Sequence, residues 1–223
     1  FYGEGTWTSD SVDGLVLTQD FPLGDWLASF DAYYGKWERI ETDGNTLRFD
    51  IAEISGALGF YAWLESPSGQ LRVGVGANRF EVEGGVNLAP GVTDAEETRY
   101  FSLQVGEQPW RLRFEISRRD FTGGYWQASY GELVFRASET WQFAALYDVG
   151  HLFFEVPFFA TFDDPIEELF ALSATYSWSE SLKFKLEHHW AETYGQIEDR
   201  TISIFFEEPE DVSLLIASIA WSF

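Results

Sequence analysis

Four basic residues stand at alternate positions in two short segments of the sequence. Arg111 and Arg113 belong to the segment WRLRFEIS, and Lys183 and Lys185 belong to LKFKLEHHW. Successive side chains of a β-strand point to opposite faces, so each pair would lie on one face of its strand. Inside a barrel, two such pairs would form a basic ladder that selects or weakly binds anionic solutes.

The same alternation predicts a larger set of charged side chains on the face that would line a pore. A narrow selective pore is one interpretation of this face. The other is a network of ion pairs that fills the barrel and only stabilises it, since buried charges must be paired. The predicted pore-lining residues are Arg48, Asp50, Arg72, Arg111, Arg113, Glu115, Lys183, Lys185 and Glu187, with Asp31, Arg136 and Asp148 on the same face.

The three histidines give little support for an enzyme. Phe153 follows His151 at the i+2 position and Ala191 follows His189, so no serine shares a strand face with either ring. No two His or Cys residues stand at ligand spacing on one face, so neither a metal site nor a cofactor is predicted. Asp148 with His151, as a water-activating pair of a hydrolase at the rim, is the one enzymatic alternative that remains.

Acidic residues dominate the charge of the chain. Asp and Glu number 37 against 14 Lys and Arg, a net charge of -23, which excludes nucleic acid as a partner because phosphate would be repelled. Of the twelve charged side chains on the predicted lining, seven are basic, so the negative charge is expected in loops, near 94–97, 163–168 and 192–211. These clusters would bind Ca²⁺ or Mg²⁺, present a surface to a protein partner, or simply be solvated.

Period-two alternation of apolar and polar residues runs along most of the chain and predicts an all-β fold. No apolar run approaches the ~20 residues of a spanning helix, and without cysteine there is no disulfide scaffold. Tight connectors alternate with long ones, which indicates one domain over residues 1–223, an up-and-down antiparallel transmembrane β-barrel. Twelve strands are predicted, or ten if residues 1–20 form an arm: 2–8, 14–21, 26–39, 46–65, 71–83, 98–106, 110–118, 124–137, 141–156, 168–178, 182–192 and 212–223.

Bulky aromatic residues lie near the ends of the predicted strands. Amphipathic rings favour the boundary between lipid and water, so these residues would form the girdles of a membrane barrel. The alternative is an ordinary sandwich core filled by the same rings. The predicted membrane-interface residues are Trp26, Trp178, Trp190, Trp221 and Phe223, together with Tyr34.

The last strand, IASIAWSF, has apolar residues at alternate positions back from the terminal Phe223. It resembles the C-terminal signature of bacterial outer-membrane β-barrel proteins, and the stretch LVLTQDFPLGDWLASFDAYYG resembles the periplasmic hairpins of that superfamily. The resemblance implies export through the periplasm, insertion by the barrel-assembly machinery and contact with outer-membrane lipid and lipopolysaccharide. It implies no particular activity.

Two functions follow as expectations from this sequence. The first is a porin-like barrel that acts as a small diffusion channel for small solutes, anionic ones included. The second is a closed barrel with a structural, adhesive or complex-anchoring role, whose acidic extracellular loops present the binding surface. An enzyme is not expected.

Overall fold

The computed structural model describes residues 13–43, 48–84, 93–156, 160–193 and 210–221, and β-strands make up most of this part of the chain. Within it there is no helix that would cross a membrane. The eleven strands are β1 (Asp13–Leu23), β2 (Trp26–Asp43), β3 (Arg48–Glu65), β4 (Leu71–Gly84), β5 (Thr93–Val105), β6 (Trp110–Phe121), β7 (Gly124–Arg136), β8 (Trp141–Val156), β9 (Ala160–Ser177), β10 (Leu182–Thr193) and β11 (Glu210–Trp221).

All eleven strands belong to one antiparallel sheet whose order follows the chain from β1 to β11. The predicted all-β, up-and-down architecture is therefore confirmed for the described residues. Among the described strands the sheet is not closed as a barrel, because β1 and β11 are its two edges. The strand predicted over 2–8 lies outside the described residues. Residues 13–20 pair with β2 throughout, so they are not the arm of the ten-stranded alternative.

Several strands extend further than the alternation predicts. β9 begins at Ala160 instead of 168, and β5 begins at Thr93 instead of 98. The residues added to these strands are rich in acids, and their polarity led to the prediction of loops. They pair as regular ladder residues because neighbouring strands supply the backbone hydrogen bonds, whatever the side chain.

The connections differ between the two ends of the sheet. At one end, here called the tight-turn end, the connectors are short, at 24–25, 66–70, 106–109, 137–140 and 178–181. The opposite end is called the long-loop end, although Thr122 and Gly123 alone join β6 to β7 there, with Gly123 at φ 87°. β1 leads into the first tight turn, so it runs toward the tight-turn end. β10 begins after the last tight turn and runs toward the long-loop end, so β11, which is antiparallel to β10, also runs toward the tight-turn end.

The two faces of the sheet have opposite character. The outer face carries large apolar side chains that are exposed, among them Leu172 (45 %) and Ile219 (69 %). The inner face carries small, hydroxyl and charged side chains, and its central positions are buried, such as Asn78 and Thr98. The Tyr61 hydroxyl of β3 reaches Ser102 of β5 on this face, across β4. The two hydroxyls meet above Gly74 of β4, which has no side chain to separate them.

Glycines in β3 and β4 make room for tyrosine rings on the inner face. A Cβ at Gly76 would overlap the ring of Tyr100, and one at Gly74 would overlap the hydroxyls of Tyr61 and Ser102. Glycine in a strand interior weakens the strand, so its presence here follows from the close approach of the rings. The rings therefore lie flat against the sheet, where longer side chains at 74 and 76 would displace them.

Two apolar clusters occupy the inner face toward the long-loop end. One joins Ile54, Ala57, Phe80 and Val82, with Tyr33 and Trp37 packed against it. The other joins Leu152, Phe154, Phe162 and Ile166, with Phe121 and Trp126. β-Bulges lie beside both, between Ser55 and Leu58 and between Gly150 and His151. A bulge adds a residue to one strand and so re-aims the side chains beyond it.

Candidate functional site

A recess of about 330 Å³ lies on the inner face at mid-height of the sheet. It is at the small end of the range for ligand pockets, roughly 300–1,000 Å³. Strands β2, β3, β5 and β6 supply its walls, while the glycines of β4 form the floor between them. The lining residues are Asp31, Tyr33, Phe60, Tyr61, Thr98, Tyr100, Phe101, Ser102, Glu115 and Ser117.

Hydroxyl groups are concentrated in this recess. The oxygen of Tyr61 lies 2.8 Å from that of Ser102, and the Asn78 amide donates a 3.0 Å hydrogen bond to the Tyr100 hydroxyl. The rings of Tyr61 and Tyr100 are 6.3 Å apart between centroids. Thr98 is 1 % exposed, and its hydroxyl finds no hydrogen-bond partner among the described residues. A buried hydroxyl without a partner is costly, so this group is available to a bound molecule.

The charges that line the recess are both negative. Asp31 of β2 and Glu115 of β6 face it, and among the described residues no lysine or arginine forms an ion pair with either carboxylate. Glu115 lies beside the hydroxyl of its register partner Tyr130, and Asp148 follows on β8. The middle of the inner face is therefore acidic and rich in hydroxyls.

The nearest arginines are occupied by other carboxylates. Arg113 contacts Glu132 at 3.3 Å between nitrogen and oxygen, and it also donates to Gln104 at 3.3 Å. Arg119 forms an ion pair with Glu96, whose side chain is almost fully buried. Both pairs join adjacent strands, and each leaves the neighbouring acidic recess without a cation.

The predicted basic ladder lies on the inner face, nearer the tight-turn end. Arg111 and Arg113 precede Glu115 on β6, and Lys183 and Lys185 face Ser177 and Thr175 of β9. Lys185 contacts Glu187 at 2.8 Å. The two halves of the ladder lie four strands apart, on β6 and β10, and the described contacts do not join them.

The remaining predicted pore-lining residues have different surroundings. The Arg72 guanidinium lies 4.9 Å from the centroid of the Trp63 ring, a cation–π contact on the inner face. Arg136 is exposed beside the tight turn and donates to the Ser138 carbonyl at 3.4 Å. Arg48 and Asp50 begin β3, and their side chains lie outside the described part of the structure.

Tryptophans form a row on the outer face at the tight-turn end. The predicted Trp26, Trp178 and Trp221 belong to it, the last two being 69 % and 72 % exposed, and Phe223 lies outside the described residues. Trp110 and Trp141 extend the row, although the sequence pattern did not single them out. Their positions directly after the turns GEQP and SET are the signal that would have found them. Trp110 stacks on Phe135 at 4.2 Å between centroids.

A second group of aromatic side chains marks the outer face toward the long-loop end. Trp190 stacks on Phe170 at 5.6 Å between ring centroids, and Tyr147 donates a 2.7 Å hydrogen bond to Glu168. On β2, Tyr34 lies on the same face as Trp26, and at about 3.3 Å per residue the two are roughly 26 Å apart along the strand. In a strand tilted by about 35–45°, as in outer-membrane barrels, this length would correspond to roughly 18–21 Å of height, against ~25 Å for the apolar band.

The histidines are not arranged as the enzymatic alternative requires. Asp148 lies on the inner face, whereas His151, three residues further along the unbroken alternation of β8, lies on the outer face and contacts Asp163 at 3.3 Å. The structure therefore does not bring Asp148 and His151 together. His188 lies on the outer face, 2.8 Å from the Ser213 oxygen of the next strand, a neighbour that spacing along one strand does not reveal.

Acidic residues near the long-loop end have protein partners where the structure describes them. Asp94 accepts hydrogen bonds from the backbone and the hydroxyl of Thr122, the latter at 2.5 Å. Glu97 pairs with Arg99 at 2.7 Å. Within the described ranges no three His, Cys, Asp or Glu side chains are grouped to hold a metal ion.

No protein-family model matches the chain, and no curated protein is similar to it.

Proposed function

We propose that the chain is an outer-membrane β-barrel that acts as a small diffusion channel. The observation that carries this proposal is the outer face, which exposes Leu, Ile, Val and Phe side chains along the strands from β1 to β11. A water-soluble barrel buries its apolar face and exposes its polar one. Here the relation is inverted, which lipid as the outer solvent explains.

The arrangement of the aromatic rings supports the same proposal. Tryptophans lie on the outer face at the tight-turn end, and Tyr34, Tyr147 and Trp190 lie on it toward the other end. Rings with one polar atom favour the two boundaries of a bilayer. The periplasmic boundary would be the tight-turn end, and lipopolysaccharide would surround the other.

Closure of the sheet is part of the proposal, and strand direction indicates how it would occur. β1 and β11 run the same way, so direct pairing between them would be parallel. One further strand between them keeps every pairing antiparallel, and the segment 2–8, with its predicted alternation, would supply it. The described edges are exposed along their whole length, which leaves them available for such pairing.

Heat modifiability tests closure. The folded full-length protein should migrate faster than the boiled protein on a detergent gel, and removal of residues 1–12 should abolish the shift. A truncated protein with the same shift would contradict the role of that segment.

A second experiment tests the proposed partner. Purified barrel-assembly machinery should catalyse insertion of the protein, and this catalysis should be lost when Trp221 and Phe223 are replaced by serine.

The polar inner face and its recess support a channel function. Conductance of the purified protein in a planar bilayer tests it directly, and a barrel silent at all voltages would exclude it. The basic ladder favours anionic solutes, although Arg113 and Lys185 already contact carboxylates at 3.3 Å and 2.8 Å. The reversal potential in a KCl gradient measures which ion passes more readily.

The two apolar clusters favour a second candidate, a closed barrel with a structural, adhesive or anchoring role. Ile54 and Ile166 are almost fully buried on the inner face near the long-loop end. Such clusters would narrow the passage, and acidic loops beyond them would present the surface for a protein partner. A silent barrel that binds a partner through these loops would favour this candidate.

A further inference from the structure

We propose that the recess on the inner face is a binding site for a small organic ammonium ion. The proposal rests on the proposed function, because the recess would lie in the lumen of the barrel. It adds the class of solute that this part of the lumen recognises. The site is formed by Asp31, Tyr61, Thr98, Tyr100 and Glu115.

The charge of the recess is the first argument. Asp31 and Glu115 contribute two carboxylates on opposite walls, and the recess contains no basic residue. The nearby Arg113 and Arg119 are held by Glu132 and Glu96. An anion entering here would be repelled, whereas a cation would neutralise charges that the described protein leaves uncompensated.

Aromatic rings are the second argument. Tyr61 and Tyr100 face each other across Gly76, with centroids 6.3 Å apart, and Tyr33 also lines the recess. Tyrosine faces attract ammonium groups, and the attraction strengthens when water is excluded. A hydrated metal ion gains little from such rings, so the rings favour an organic cation.

The unpartnered hydroxyl of Thr98 is the third argument. It is buried in the wall of the recess, and no described group satisfies it. An ammonium N–H or a hydroxyl on the ligand would complete its hydrogen bonding. The carboxylates, the rings and this hydroxyl belong to four strands, β2, β3, β5 and β6, so the ligand would contact all four strands at once.

Saturation-transfer NMR with choline as the probe tests the site on the whole protein in an uncharged polyoxyethylene detergent, which contains no choline group. Choline should receive saturation from the protein, whereas its neutral isostere 3,3-dimethylbutanol and the anion acetate should not. The double variant Asp31→Asn with Glu115→Gln should weaken choline binding about tenfold, equivalent to roughly 1.4 kcal/mol. The single variant Glu115→Gln should weaken it less.

The matched control is the double variant Asp25→Asn with Glu180→Gln. Both residues are exposed in tight turns, so this variant removes the same net charge far from the recess and should leave choline binding unchanged. Heat modifiability shows whether each variant is folded. If the double variant of the recess is unfolded, the choline binding of the single variant Glu115→Gln decides whether the carboxylates contribute to the site.

Other outcomes separate this site from the channel. Equal binding of the neutral isostere would overturn the ammonium class, and so would binding of acetate or equal loss in the control. Conductance without choline binding would overturn the site alone. Choline binding in a barrel without conductance would overturn the channel and leave the site in place.

Discussion

The outer and inner faces of this sheet are built from alternate residues of the same strands, yet they are suited to different solvents. Leu172 is exposed on the outer face, and its neighbour Ser173 lies on the inner face between Ala144 and Glu187. Among the described residues, no other part of the protein covers the outer face. The inner face pairs its charges and packs its rings. The difference indicates that lipid would satisfy the outer face, whereas the protein itself largely satisfies the inner one.

A charge on the outer face should have the largest effect. Leu172→Arg should lower the free energy of unfolding in lipid vesicles by about 2–4 kcal/mol, because a cation would enter the apolar band. Ser173→Arg, one residue away and beside Glu187, is the control and should change it far less. Urea titration followed by tryptophan fluorescence measures both. Equal effects would contradict the proposed lipid contact, since an exposed leucine in water tolerates arginine.

Filling the space beneath the tyrosines should have the next largest effect. Gly74→Ala should destabilise the protein by about 1–3 kcal/mol, because the added Cβ overlaps the Tyr61 and Ser102 hydroxyls. Gly131→Ala is the matched control. Its Cβ would meet only the Arg113 carbonyl, at 4.0 Å, so a gain of about 0.4–1 kcal/mol is expected. Unfolding in urea measures both variants, and equal destabilisation would show that strand glycine is needed for another reason.

Removing the carboxylate partner of an arginine on the inner face should have a moderate effect on stability. Glu132→Gln removes the 3.3 Å contact with Arg113, which is partly exposed, and should cost about 0.2–1 kcal/mol in stability. The freed guanidinium should shift the reversal potential of the channel toward anions. Glu180→Gln, in an exposed tight turn, is the control with the same change of charge. An equal shift in both variants would assign the effect to net charge alone.

Replacing single tryptophans by phenylalanine should have the smallest effect on stability. Fluorescence quenching should nevertheless distinguish a tryptophan on the outer face from one on the inner face. Trp178→Phe should change the unfolding free energy by less than about 0.5 kcal/mol, as expected for an exposed site. It should nevertheless reduce fluorescence quenching by brominated lipids, because Trp178 is on the outer face. Trp63→Phe should leave that quenching unchanged, because Trp63 packs against Arg72 on the inner face. Equal losses of quenching would contradict the assignment of the two faces.

Most positions of the described strands, and the face of the charged residues whose side chains are described, followed from the sequence because period-two alternation is a local property. Lys183 and Phe184 illustrate this, since their different polarity assigns them to opposite faces. The recess did not follow, because Asp31, Tyr100 and Glu115 come from separate strands and meet only through register. Likewise, the bulge opposite Gly150 and His151 adds Ile166 to β9, and no feature of the local alternation marks that extra residue.

The order of strands in the sheet has a consequence for folding. Each described pairing joins neighbours in the chain, so each forms by closing a short loop at a small entropic cost. A seam between the first and last strands would close a loop of nearly the whole chain, at about 3.5 kcal/mol more than a hairpin. Folding would then proceed as a run of local steps followed by one slow one. Until that last step, the unpaired backbone of both edge strands would be open to aggregation or to capture by a folding catalyst.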